Sequence, residues 1–291
     1  TKKTWTYDNT VAGLRLILFG LFIKMVVSDN LAPFVDQIYA SPLEYASVDV
    51  ALGLVLYSFQ IYGDFFGYSI VAIGSARLLG IRLMDNFKTP YLSRNIAEFW
   101  QRWHISLSTW FRDYVYFPLG GNRSRTWRWI LNVFVVFLAS GIWHGANWTF
   151  LIWGAVYALI YLVQNKVSSR WFETNNKKPF TLNHIFRALI CFVLVSLIWV
   201  FFRSQDLGQA VQVFKALFNG GEGGQVLDIP IWVCLFFGVF VLSDFILYSS
   251  RFDIKLSQWP LATRWTIYTF LIFSIIVFSA VEKVPFIYFQ F

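Results

Sequence analysis

The chain has 291 residues, of which 57% are apolar, 21% aromatic and only 14% charged. Soluble globular domains run at about 45–50% apolar and about 25% charged. This composition therefore excludes a disordered chain, a collagen-like repeat and an ordinary water-soluble enzyme, and it predicts an all-α polytopic transmembrane bundle. The formal net charge is +8. The bases sit between apolar runs, which reads as loops facing an anionic leaflet, so the expected partner is the lipid bilayer and not nucleic acid.

In chain order, the stretches that approach the roughly 20 apolar residues of a span are Val11–Val27, Ala51–Leu79, Trp129–Trp143, Trp148–Val163, Ile185–Phe202, Ile231–Tyr248 and Trp265–Val281. No internal repeat and no soluble domain is visible, so residues 1–291 are expected to form a single membrane domain. The chain starts at Thr1 with no signal-peptide pattern ahead of the first apolar run, which suggests further membrane segments upstream in the full protein. Cys191 and Cys234 lie inside apolar runs and lack metal-site spacing.

Residues 92–121 differ from the spans. Arg94, Glu98, Arg102, Arg112 and Asp113 exclude exposure to lipid. Ile96, Phe99, Trp100, Trp103, Leu107, Trp110 and Phe111 recur at steps of three and four, which predicts one amphipathic helix, interfacial or re-entrant and buried against protein. Ser93 is placed to cap its start.

Loop charges give a direction. Gly120–Arg128 carries a net +3, Asn165–Arg187 +4 and Arg251–Arg264 +2, whereas Asp29–Asp49 carries −4 and Arg203–Asp228 −1. Basic loops stay in the cytoplasm, so the acidic connections and the C-terminus are expected outside.

Few residues can carry chemistry. His144 lies at the junction of two apolar runs, in Trp143-His144-Gly145-Ala146-Asn147. A histidine there either bonds a neighbouring helix or, kept neutral by burial, takes a proton from a hydroxyl or thiol. His104 lies on the amphipathic segment, where a solvated interfacial histidine is the default reading. His184 opens a span and reads as an interface residue. Gln60 and Asp64 are spaced i, i+4 and share a helix face; Asp64 must face protein or water, bonding another helix, an arginine or a histidine. Gly120-Gly121-Asn122-Arg123 is a turn by composition. Tyr288 carries the one hydroxyl in the aromatic tail, Pro285–Phe291. There is no HExxH motif, cysteine cluster, GxSxG elbow or P-loop, so no metal site is expected.

Together these segments resemble the membrane-bound O-acyltransferase family. The run from Tyr91 to Tyr114, with Trp100-Gln101-Arg102-Trp103-His104, is similar to the family signature. Its continuation through Pro118-Leu119-Gly120-Gly121-Asn122-Arg123 resembles the alginate O-acetyltransferase branch and its peptidoglycan-acetylating relatives. Trp143-His144-Gly145-Ala146 resembles the second histidine motif, and Gln60–Ser69 and Phe286–Phe291 also match, with Gly63, Phe66 and Ile70 departing from the usual pattern. The resemblance implies the C-terminal part of the family fold in a bacterial inner membrane. It implies His144 as catalytic base and His104 as its assisting partner, supported by Trp143, Asn147, Trp103, Asp64, Gln60, Arg102, Arg112 and Asp113. No bound cofactor is implied: acetyl-CoA is the expected donor substrate, its phosphates near Arg102, Arg112, Asn122 and Arg123. Expected partners are a polysaccharide acceptor and an extracytoplasmic acetyltransferase protein, with Tyr288 relaying acetyl or docking that partner. The competing reading is a transporter of acyl groups or polysaccharide, which would call for a charged pore and an inverted repeat.

Overall fold

The structure, a computed structural model, describes residues 6–167, 180–219, 224–280 and 286. Every regular element among them is helical, and their β-pairing is limited to an isolated parallel bridge between Tyr45 and Gln225. The helices are α1 Tyr7–Leu21, α2 Asp29–Ala40, α3 Ser47–Leu78, α4 Ile96–Arg102, α5 Ile105–Phe111, α6 Thr126–His144, α7 Trp148–Val167, α8 Leu182–Arg203, α9 Leu207–Asn219, α10 Ile231–Ile246, α11 Phe252–Ser257 and α12 Leu261–Phe278. Six helical runs among the described residues are long and apolar enough to cross a bilayer: α1 through α2, α3, α6, α7, α8 and α12. The remaining expected span, α10, has 16 residues, fewer than the roughly 20 that cross the hydrocarbon core.

The chain divides into two compact units. One takes in the chain up to Ala40, Val55–Lys88 and the part from Val226 onward; the other takes in Ser41–Leu54 and Thr89–Gln225.

In the first unit, α1 continues into α2 through a π-helical stretch, Phe22–Ser28. The first span therefore runs on to Ala40 instead of ending at Val27, and Asp29 sits inside a helix instead of opening an acidic loop. Ion pairing is the physical reason. The Lys24 Nζ lies 2.5 Å from Asp29 Oδ1 and 2.5 Å from Asp64 Oδ1 on α3. An ionised side chain at this depth is tolerated only when paired. The wider π turn shifts backbone bonding from i→i+4 to i→i+5, and the Asp29 N–H donates to the Lys24 carbonyl. Asn30 Nδ2 donates to the carbonyls of Val26 at 2.9 Å and Phe278 at 2.8 Å. Ser28 Oγ donates to the Gln60 carbonyl at 2.8 Å. Of the partners open to Asp64 from sequence, the structure supplies an interhelical one, Lys24. Elsewhere in this unit Arg251 pairs with Asp253 at 2.5 Å and Asp85 at 3.0 Å, and Arg77 approaches Asp253 at 3.4 Å.

The second unit is built on aromatic packing. Phe99, Trp103, Trp153, Tyr157 and Trp199 are buried, with ring centroids 5.5 Å apart for Phe99–Trp103, 5.1 Å for Trp103–Trp199 and 5.1 Å for Trp153–Tyr157. In lipid the hydrophobic effect does not drive helices together, so close packing has to. The α6 and α7 backbones meet at Gly141 and Gly154. A Cβ at Gly141 would strike the Phe150 carbonyl oxygen, and one at Gly154 the Phe137 carbonyl oxygen.

Lys24→Met removes the cation from between two buried carboxylates. The expected loss is about 3–5 kcal/mol, measured as a lower thermal midpoint in detergent; an unchanged midpoint would show that the triad carries no stability.

Candidate active site

The site grows from the segment around His104. Asn95, with extended backbone, caps α4: its Oδ1 accepts the Glu98 N–H at 2.8 Å. Ser93, the expected cap, instead closes the 3₁₀ turn Pro90–Leu92 and is buried. An N-cap side chain reaches the N–H two or three residues on, which Asn95 does and Ser93, five residues before Glu98, cannot. Glu98 accepts from the Arg94 N–H at 3.0 Å and pairs with Arg94 and Arg102, each at 2.9 Å. Burial pushes the Glu98 carboxyl up, but the hydrogen bonds and charges of Arg94 and Arg102 outweigh it and hold the carboxyl below the usual range. Arg102 also donates to Thr89 Oγ1 at 3.3 Å. Thr89 has φ 43°, a left-handed conformation that a β-branched residue rarely adopts.

The expected single helix is two. It stops after Arg102, Trp103 is extended, and His104 adopts φ 43° and ψ 54° at the start of α5. Histidine tolerates this region better than most residues, yet it costs on the order of 1–3 kcal/mol and recurs at active sites. The break puts Trp103 into the aromatic core and turns His104 inward. Only 8% of His104 is exposed, so it is not the solvated interfacial residue of the default reading. Burial pushes its pKa down to about 4, leaving a neutral imidazole near pH 7. Its Nδ1 lies 3.3 Å from Ser106 Oγ.

His144 is the last residue of α6. Its ring packs on Trp143, Trp153 and Phe202 at centroid distances of 5.0, 5.3 and 5.0 Å, with Phe150 at 6.4 Å. Trp143 also meets the His104 ring at 6.3 Å. One indole therefore contacts both imidazoles, from residues 40 positions apart in sequence. Asn147 has a positional role: its Oδ1 accepts the Thr149 N–H at 3.2 Å at the start of α7, and its Nδ2 donates to the Gln205 carbonyl at 2.7 Å.

A cavity of about 520 Å³ opens between α4, α5, α6 and α7, reaching Ile105, which follows His104, and Ser140, one turn before His144. Trp100, Ser108, Phe137 and Ser140 line it, with Arg112 and Asn122 at its polar side. Arg112 is exposed, pairs with Asp113 at 2.8 Å and lies 5.8 Å above the Phe117 ring. Asn122 accepts the Tyr116 hydroxyl, and Arg123 is exposed on the same turn. Gly120 and Gly121 take positive φ there, 104° and 52°.

The structure thus brings His104, His144, Trp143 and Trp103 together, and places Arg112 and Asn122 on the cavity. Arg102 is held inward by Glu98 and Thr89. Gln60 and Asp64 belong to the other unit, and Tyr288 lies outside the described residues. His184 is buried, its Nε2 3.1 Å from the Leu92 carbonyl. Sequence reasoning missed Trp153 and Phe202 as neighbours of His144. Phe202 carried no signal in its apolar run, but Trp153 and Tyr157, polar-tipped rings at i, i+4 inside a span, did.

These features define an all-helical polytopic membrane protein with a sheltered pair of histidines. The family model of the membrane-bound O-acyltransferases matches residues 2–205, and the chain belongs to that family. The probable alginate O-acetylase AlgI of Pseudomonas putida is 36% identical over 99% of this chain and 63% of its own length. The peptidoglycan O-acetyltransferase of Helicobacter pylori is 40% identical over 72% of this chain and 39% of its own. The teichoic acid D-alanyltransferase of Bacillus subtilis is 32% identical over 61% and 46%. The chain thus spans 63% or less of the length of these relatives.

The His104 shift makes a pH prediction. Its folded pKa of about 4 lies below the ordinary 6.5. The stability it permits is full above pH 6.5 and is lost as pH falls toward 4, because only the unfolded chain binds the proton there. Between pH 7 and pH 5 the native protein should lose about 2 kcal/mol that His104→Gln does not lose. Thermal midpoints of the two proteins at both pH values measure it, and parallel losses would refute the assignment.

Proposed function

We propose that this chain carries the acyl-transfer centre of a membrane O-acetyltransferase. In this reading it takes an acetyl group from a cytoplasmic thioester, acetyl-CoA, for O-acetylation of an extracytoplasmic polysaccharide. The observation that carries the proposal is the pair of imidazoles sharing the Trp143 ring, with a cavity of apolar wall and cationic side lined by their chain neighbours Ile105 and Ser140. The relatives' names support the reaction class and leave the glycan open between alginate, peptidoglycan and other envelope polysaccharides.

The chemistry is direct. His144 takes the proton of the acceptor hydroxyl as its oxygen attacks the thioester carbonyl carbon. The C–S bond breaks, and the leaving thiolate takes the proton back from the imidazolium. An ester and a free thiol result. General-base help of this kind is worth about 10²–10⁴-fold, and an imidazole serves only while neutral. His104, neutral by burial, keeps a second positive charge away from His144 as it protonates. The basic turn Gly120–Arg128 is cytoplasmic by the charge rule and adjoins the cavity through Asn122, which suits a donor with phosphates. The same rule puts the basic Arg251–Arg264 loop in the cytoplasm, which requires the 16-residue α10 to cross as well; with that crossing the C-terminus is extracytoplasmic, where Tyr288 can meet an acceptor or a partner acetyltransferase.

Membranes bearing the full-length protein, given labelled acetyl-CoA, should release CoA and transfer label to glycan. His144→Ala should lower the rate by at least about 10²-fold. Wild-type turnover with an unimpaired His144→Ala variant would remove His144 from the mechanism.

A further inference from the structure

Three hydrogen-bond donors lie buried together on the α7 side of the histidines. Trp153 Nε1, Tyr157 Oη and Trp100 Nε1 are shielded from solvent and bond to no partner among the described residues. They are contiguous: ring centroids are 5.1 Å apart for Trp153–Tyr157, 5.0 Å for Trp100–Tyr157 and 5.8 Å for Trp100–Trp153. Trp153 and Tyr157 are fully buried. The cluster has two ends. Trp100 lines the 520 Å³ cavity, and Trp153 meets the His144 ring edge to face at 5.3 Å.

A buried donor left without an acceptor is destabilising, and native proteins carry few. An indole N–H can only donate, so Trp100 and Trp153 cannot satisfy each other. The Tyr157 hydroxyl could accept from either indole, yet neither bonds to it, so the cluster suits a ligand that brings acceptors.

We propose that Trp153 donates its indole N–H to the carbonyl oxygen of the thioester as that oxygen becomes an oxyanion, and that Tyr157 and then Trp100, the one of the three that lines the cavity, continue the donor strip and hold acceptor groups of the thioester's arm. The inference rests on the acyl-transfer reading above and adds the element that reading lacks. As the acceptor oxygen bonds to the carbonyl carbon, the C=O π electrons move onto oxygen, beside Trp153. Their return re-forms the carbonyl and expels the thiolate, which is protonated by His144. A preorganised donor to such an oxyanion is worth about 10²–10³-fold in kcat. Tyr157 and Trp100, binding donor and oxyanion states alike, act on KM.

The test uses the full-length protein in nanodiscs with acetyl-CoA, reading CoA release. Trp153→Phe should lower kcat about 10²–10³-fold with KM changed less than about threefold, whereas Tyr157→Phe and Trp100→Phe should raise KM and spare kcat. Replacing Trp153 with benzothienylalanine keeps the bicyclic ring and removes only the N–H, so it separates lost donation from lost packing. It should reproduce the kcat loss with an unchanged thermal midpoint. Wild-type kcat in the benzothienylalanine protein overturns the inference and leaves the acyl-transfer reading intact. Absence of turnover in the wild type overturns the reading, and the inference with it.

Discussion

Inside an apolar bundle there is no water to satisfy a charge or a backbone group, so each must find its partner within the protein. That constraint explains most of what is irregular here. Lys24 is kept in the first span because Asp29 and Asp64 both reach it, and the π-helical turn around it persists with Asn30 bonding nearby carbonyls. Glu98 is buried because Arg94 and Arg102 close on it from one turn before and one turn after. Both units solve the problem by ion pairing, the first between helices and the second along one short capped helix that packs on aromatic rings.

The break at His104 is the structural decision that makes the site. A continuous helix would have kept His104 on a polar face and Trp103 elsewhere on the cylinder. Two short helices, joined through an extended Trp103 and a left-handed His104, send the indole into the core and the imidazole against Trp143. Backbone strain is tolerated here because Asn95, Glu98 and its arginines fix the first helix and the aromatic core fixes the indole. The two imidazoles pack against aromatic rings, with Trp143 shared between them.

Much of this was legible in the residues. The apolar runs located all six long spans found among the described residues, since 57% apolar content leaves little choice about where lipid lies. His144 stands out because an imidazole is costly at the junction of two apolar runs, and His104 through its place in the family motif. The errors share one cause. The end of the first span, the cap at Ser93, the single amphipathic helix and the solvated His104 were judged from local pattern. In each case a partner distant in sequence or a local backbone bond changed the outcome: Asp64 for Lys24, Asn95 for the cap, Trp143 for His104.

The sequence by itself determined the class of protein and its family, because hydropathy, charge placement and motif order are local properties that lipid enforces residue by residue. Only the tertiary structure decided that α1 and α2 form one span, that one indole contacts both imidazoles, and that Trp100, Trp153 and Tyr157 gather their unmet donors beside His144. Those outcomes depend on helices separated by tens of residues packing against one another, and neither periodicity nor composition encodes which faces meet.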